Sequence, residues 1–165
     1  MSQSHPMLHL LCGKIASGKS TLAAQLAAQD ATVLLAEDAW LHGLYADQMS
    51  SPADYVRCSA SLRAVMAPHV AALLEAGVSV VLDFPANTVA TRAWMRDLLT
   101  QTGAAHQLHL LDVSDDTCLA RLRRRNAAGN HAFAATEAQF HQFTRHFAPP
   151  TPQEGFDVVV HSHTE

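Results

Sequence analysis

The sequence predicts an α/β fold in which a five-stranded parallel sheet is flanked by helices. Two observations carry that expectation. Short apolar runs alternate with helical patterns along the whole chain, the arrangement that joins parallel strands through helical crossovers. A glycine-rich segment, Gly13–Ser20, also stands between the first apolar run and the first alanine-rich helix. At 165 residues the chain fits one domain, spanning 1–165. A chain of that size buries about two-thirds of its unfolded surface and folds without disulfides.

The elements follow in order. Met7–Cys12 reads as a buried strand, Gly18–Gln29 as a helix, and Thr32–Ala36 as a second buried strand. The crossover 37–77 is longer than a single connection needs, so it is either an acceptor-side helical insertion or two packing helices. Within it Ser51-Pro52-Ala53-Asp54 starts a helix, with a capping hydroxyl and proline in the first turn. Pro68 is expected to kink or split that helix, and Gly77 to follow its end. Val78–Asp83 is the third strand, and a helix runs from about Thr88 to Gln101, ended by Gly103. His106–Val113 is the fourth strand. Ser114 then caps a helix whose first turn carries Asp115 and Asp116, where the helix dipole favours acids. It ends near Gly129. Thr136 and Gln139 form a capping box for a helix with Phe140, Phe143 and Phe147 on one face. Pro149, Pro150 and Pro152 end it, and Asp157–His161 is the fifth strand.

Composition excludes several classes. The net charge is −4, and both lysines, Lys14 and Lys19, lie in one short segment. The basic stripe of a nucleic-acid binder is missing. Three cysteines without close spacing argue against a disulfide framework and fit a reducing compartment. No apolar run approaches a membrane span, and no basic region precedes Met7–Cys12 as in a secretory signal. The expectation is a soluble, cytoplasmic domain. The eleven histidines show no metal-ligand spacing; His161 and His163 read, like the others, as surface or packing residues.

Gly13-Lys14-Ile15-Ala16-Ser17-Gly18-Lys19-Ser20 matches G-x-x-x-x-G-K-[ST], between strand and helix where the motif has its function. Glycines let backbone amides curl around an anion, and the helix N-terminus adds its dipole. Gly13 through Thr21 are therefore the candidate nucleotide-binding residues. Lys19 reaches the β- and γ-phosphates and is expected to be largely exposed without ligand, while Ser20 offers a hydroxyl to Mg²⁺.

Ligands of open α/β sheets bind at the carboxyl ends of the strands. Asp38, after the second strand, can accept a proton from an attacking hydroxyl, help hold Mg²⁺ through water, or cap the next turn. Glu37 is the weaker candidate because strand alternation turns it away. Asp83, after the third strand, is placed to support Mg²⁺ or to act as a turn residue. Arg121 and Arg125 share a helix face at i, i+4 and can reach transferring phosphates, or can complement the dipole at the helix end. Arg92 and Arg96, likewise i, i+4, read as a solvated helix face, or one of them meets an anionic ligand. Trp40, Tyr45 and Tyr55 either stack on a substrate ring or join the core.

The phosphate loop, Asp38, Leu82-Asp83-Phe84, the Arg121–Asn126 segment and Pro149-Pro150 together resemble the small P-loop kinases of the AAA-domain type. Relatives of that group include chloramphenicol phosphotransferase, zeta-toxin kinases and the kinase domain of polynucleotide kinases. The resemblance runs from Leu8 to His161 and implies a nucleoside-kinase-like three-layer sandwich. It implies ATP with Mg²⁺ as phosphoryl donor, Asp38 as activator of the acceptor hydroxyl, and a short lid around 121–135 whose arginines hold the phosphates.

The leading functional expectation is a kinase that transfers the ATP γ-phosphoryl group to a hydroxyl of a small molecule, a metabolite, nucleoside or antibiotic. Lys19, Asp38, Arg121 and Arg125 are its catalytic candidates, and Ser20 and Asp83 its metal candidates. The alternatives are a nucleotide or polynucleotide kinase, and an ATP-binding switch acting on a protein partner. A guanine-reading Asn-Lys-x-Asp segment is impossible without a third lysine. Phe84 after Asp83 departs from the Asp-Glu pair of motor-type ATPases.

Overall fold

The structure is a computed structural model that describes residues 5–129 and 135–162. Its five strands, β1 (Met7–Cys12), β2 (Thr32–Ala36), β3 (Ser79–Pro85), β4 (Ala105–Asp112) and β5 (Val158–Ser162), form one sheet. The spatial order is β2-β3-β1-β4-β5, and every pairing is parallel. Helix α1 spans Lys19–Ala27, α2 Glu37–Tyr45, α3 Pro52–Glu75, α4 Val89–Thr102, α5 Asp115–Ala128 and α6 Glu137–Arg145.

Alternation in β1 separates the two faces. Leu8, Leu10 and Cys12 meet the buried stripe of α3, Cys58, Leu62, Met66, Val70 and Leu74, together with Met95 and Leu98 of α4. Leu11 points the other way and packs with Ala23 of α1 and Val81. A third cluster joins Leu111 and Val113 to Cys118 and Leu122 of α5 and Phe140 of α6. Helices thus cover both faces, and the expected three-layer α/β fold is present. No helix of the described residues is long and apolar enough to cross a membrane.

Four local expectations are corrected. Strand β2 is not a buried strand, because it forms an edge of the sheet; only Leu35 is buried, and Val33 and Leu34 are exposed. Pro68 does not split α3, which runs unbroken for 24 residues. Pro68 and Ala64 both lie on the exposed side, so the carbonyl freed by the missing N–H faces water. Phe140, Phe143 and Phe147 do not form one helix face: α6 is nine residues long and ends at Arg145, Phe143 is exposed, and Phe147 lies beyond the helix and packs on the main core. Arg92 is not solvated but fully buried, with Nε 2.7 Å from Glu154 Oε1. Its Nη1 donates to the carbonyls of Ala86 (2.9 Å) and Ala148 (2.6 Å). Arg96 is exposed, as expected.

Three histidines form a ladder across β1, β4 and β5. His9 Nδ1 lies 3.0 Å from His109 Nε2, and His109 Nδ1 lies 2.9 Å from His161 Nε2. His9 and His109 are buried, which bears out packing as their role; His163 lies outside the described residues. Burial, reinforced by repulsion from its two neighbours, pushes His109 down to about 4 from the ordinary 6.5. The unfolded chain therefore binds the proton first as pH falls, and this contribution to stability declines from about pH 6.5 toward pH 4. Urea midpoints of the wild type are expected to drop over that window more steeply than those of His109→Gln. Parallel pH profiles would remove the ladder from the acid response.

Candidate active site

The phosphate loop follows β1 directly, at the carboxyl end of the central strand. Its curl needs unusual backbone: Gly18 has φ 103° and Ala16 φ 62°. The loop is also tight, because a Cβ on Gly13 would sit 2.5 Å from Ser17 Oγ and 3.2 Å from Leu111 Cβ. Ile15 and Ala16 anchor the loop on the α5–α6 cluster. The Lys14 side chain turns away from the loop centre, donating to Val113 O and pairing with Asp115 at 2.6 Å. Ser20 and Thr21 are exposed on the first turn of α1.

Lys19 departs from its expectation. It is half-buried rather than largely exposed, with Nζ 2.6 Å from Gly13 O and 2.9 Å from Lys14 O. Short loops offer carbonyls close at hand, and an ammonium that lacks an anion binds them instead. Burial lowers its pKa, while Asp83, Cys12, Cys118 and Asp38 act in the opposite direction.

Asp83, near the end of β3, is half-buried, and burial raises its pKa against the pull of Lys19. Asp38 sits in the first turn of α2 and is exposed. Among the described residues its carboxylate caps nothing: α2 has no side-chain cap. Glu37, one residue earlier, goes the other way. It is buried, and its oxygens accept from Tyr55 Oη at 2.5 Å and Ser59 Oγ at 3.2 Å. Tyr55 therefore belongs to this buried group, Tyr45 to the main core, and Trp40 to the surface.

Across the site, Arg121 and Arg125 project from α5. Arg121 Nη1 donates to Ser17 O at 3.2 Å, so it rests on the phosphate loop. Arg125 feels the charge of Asp38, and its Nε is buried without a partner. Arg123 instead pairs with Glu137, and Arg124 is exposed. Asp38 thus lies within electrostatic range of Lys19, Asp83 and Arg125. Of the lid expected around 121–135, residues 130–134 lie outside the described residues.

One residue has no sequence signal at all. Asn87 clamps the loop: Gly13 N donates to its Oδ1 at 2.9 Å and its Nδ2 donates to Gly13 O at 2.8 Å. Ala148 N donates to the Asn87 carbonyl at 2.9 Å, tying the segment held by Arg92 to the phosphate loop.

The donor set suits ATP with Mg²⁺. A closely curled loop, the Lys19 ammonium bonded inside it and the Arg121 guanidinium resting on it fit phosphates. The Ser20 hydroxyl and the Asp83 carboxylate are hard oxygen donors, and Mg²⁺ in phosphate sites takes one or two protein ligands.

Comparison with known proteins agrees with this fold. The model of the AAA domain family matches residues 8–150. A proposed kinase of Chloroflexus aurantiacus superposes with a TM-score of 0.75 at 23% identity, over 96% of this chain and 85% of that one. Kti12 of Chaetomium thermophilum, in complex with ADP-AlF3, gives 0.72 at 16% identity over 95% and 89%. The APS kinase CysC of Mycobacterium tuberculosis, with AMPPNP and APS, gives 0.63 at 21% identity over 96% and 88%. No curated protein matches the sequence.

Proposed function

The chain belongs to the AAA-domain family of small P-loop kinases, and from that membership we propose that it transfers the γ-phosphoryl group of ATP to a hydroxyl of a small molecule. The observation that carries the reading is the curled phosphate loop after β1, with the Lys19 ammonium bonded inside it and Arg121 resting on it. Similarity to kinases solved with a nucleotide supports the choice of donor.

In this mechanism the amides of Gly13 through Thr21 and Lys19 hold the β- and γ-phosphates. Lys19 gives up the carbonyls of Gly13 and Lys14 to do so, and Asn87 Nδ2 keeps the Gly13 carbonyl bonded. Ser20 and Asp83 would hold Mg²⁺, which would supply charge neutralisation for the phosphates. Asp38 takes the proton of the acceptor hydroxyl as its oxygen bonds to the γ-phosphorus, and the bond to the β-bridging oxygen breaks to release ADP. Arg121 and Arg125 balance the charge that develops on the transferring group. The segment 37–77 is the acceptor-side wall, and 121–135 the lid.

Lys19→Ala tests the donor site. ATP–Mg²⁺ affinity by calorimetry is expected to fall at least about tenfold, the loss of one charge-assisted contact of about 1.5–3 kcal/mol. Equal affinity in both proteins would remove the phosphate loop from the mechanism. Steady ATP hydrolysis by the wild type without any acceptor would favour a switch over a kinase.

A further inference from the structure

We infer that Arg63 and Trp94 form an oxyanion-binding subsite on the acceptor side, so that the hydroxyl compound carries a carboxylate, phosphate or sulfate group. The inference rests on the kinase reading for the identity of the ligand as an acceptor. Its physical basis is separate from the phosphate loop.

Arg63 lies on α3, with 27% of its side chain exposed. Its guanidinium carbon sits 5.7 Å over the Trp94 ring. Trp94 in turn packs against Phe84, the residue after Asp83, at 5.6 Å between ring centroids. The nearest carboxylate is Glu37, whose Oε2 lies 3.9 Å from Arg63 Nη2, beyond hydrogen-bond reach. Arg63 and Glu37 form an ion pair, but the hydrogen bonds to the two Glu37 oxygens come from Tyr55 and Ser59, which leaves the guanidinium donors open. Among the described residues Arg63 donates no hydrogen bond, and its Nε is buried without a partner.

A guanidinium held by ring stacking keeps its planar fork of donors available, the geometry that takes oxyanions in two parallel bonds. The position is also right. Arg63 stands on α3, and Phe84, on which Trp94 packs, follows Asp83 at the carboxyl end of β3. An anionic group on Arg63 would hold a nearby hydroxyl of the same molecule at that end of the sheet, where Asp38 also stands. A purely structural Arg63, offsetting Glu37, would instead be expected to donate to that carboxylate.

The test uses the full chain carrying Trp40→Phe, which leaves Trp94 as the sole tryptophan. With AMPPNP–Mg²⁺ saturating the phosphate loop, inorganic phosphate, sulfate and acetate are titrated against chloride at constant ionic strength. A saturable change in Trp94 fluorescence is expected, and the strongest of the three anions identifies the group. Adding Arg63→Gln should weaken binding at least tenfold, and Arg63→Lys, which keeps the charge but not the fork, severalfold. No saturable change, or unchanged affinity in either Arg63 variant, overturns the subsite. If AMPPNP does not bind, the kinase reading fails on its own, and the same titration on the Lys19→Ala background still decides the subsite.

Discussion

Arg92→Met is expected to lower folding stability by about 3–5 kcal/mol, the range for removing one partner of a buried ion pair. Arg92 has no exposure, whereas the Glu154 side chain retains 18%, so the loss should fall toward the lower end. The change leaves the carbonyls of Ala86 and Ala148 short of a donor as well as Glu154 without its cation. For a chain of this length the melting temperature should drop by on the order of 10 °C. Glu154→Gln in the same chain should recover part of the loss by removing the stranded charge. The pH profile gives an independent check. The hydrogen bond from Arg92 holds the Glu154 pKa below its ordinary 4.5, with the bonds from Thr151 adding to it. That stability is present above about pH 4.5 and is lost as pH falls through the lowered value. Arg92→Met should lose most of this acid dependence. A variant within 1 kcal/mol of wild type would show that the guanidinium only fills space.

The same substitution should reach the active site. Arg92 holds the Ala148 carbonyl, Ala148 N donates to Asn87, and Asn87 clamps Gly13 through both its N–H and its carbonyl. Nucleotide affinity of the folded fraction should therefore fall in Arg92→Met, although Arg92 makes no contact within the loop.

Arg92 also shows where sequence reading reached its limit. Its partner at i+4, Arg96, suggested a pair on one solvated face. The buried stripe of α4 is Thr91, Arg92, Met95, Leu98 and Leu99, so Arg92 heads the apolar side and Arg96 lies off it. The spacing of Arg92 to Met95 and Leu99 was a usable signal. Its carboxylate partner 62 residues away was not, because pairing across the fold leaves no local pattern. Asn87 is illegible for the same reason: its partner Gly13 is 74 residues distant. The strands, the phosphate loop and the caps at Ser51, Ser114 and Thr136 were legible because each depends on near neighbours in the chain. Exposure was harder. The run Thr32–Ala36 has core composition, and only the order of strands makes it an edge. The divergence of Glu37 and Asp38 followed the expected alternation, yet the reason Glu37 can be buried, two hydroxyl donors from α3, required the fold.

Asp38→Asn is expected to slow phosphoryl transfer by roughly 10²–10⁴, the usual contribution of a general base. Asparagine preserves the shape but removes the charge that accepts the hydroxyl proton and that faces Lys19 and Arg125. Stability should hardly change. Asp38 is exposed, and α2 has no side-chain cap to lose, so a capping contribution of about 1 kcal/mol is not at stake. Affinity for ATP–Mg²⁺ should also stay close to wild type, since the phosphates are held by the loop and Lys19. Thermal melts, calorimetry and single-turnover transfer to an acceptor found by screening hydroxylated acids, nucleosides and antibiotics separate these three quantities. A fall in rate together with a large fall in nucleotide affinity would reassign Asp38 to the support of Mg²⁺. Normal transfer would remove it from the mechanism and move the search for the base to Glu37 and Asp83.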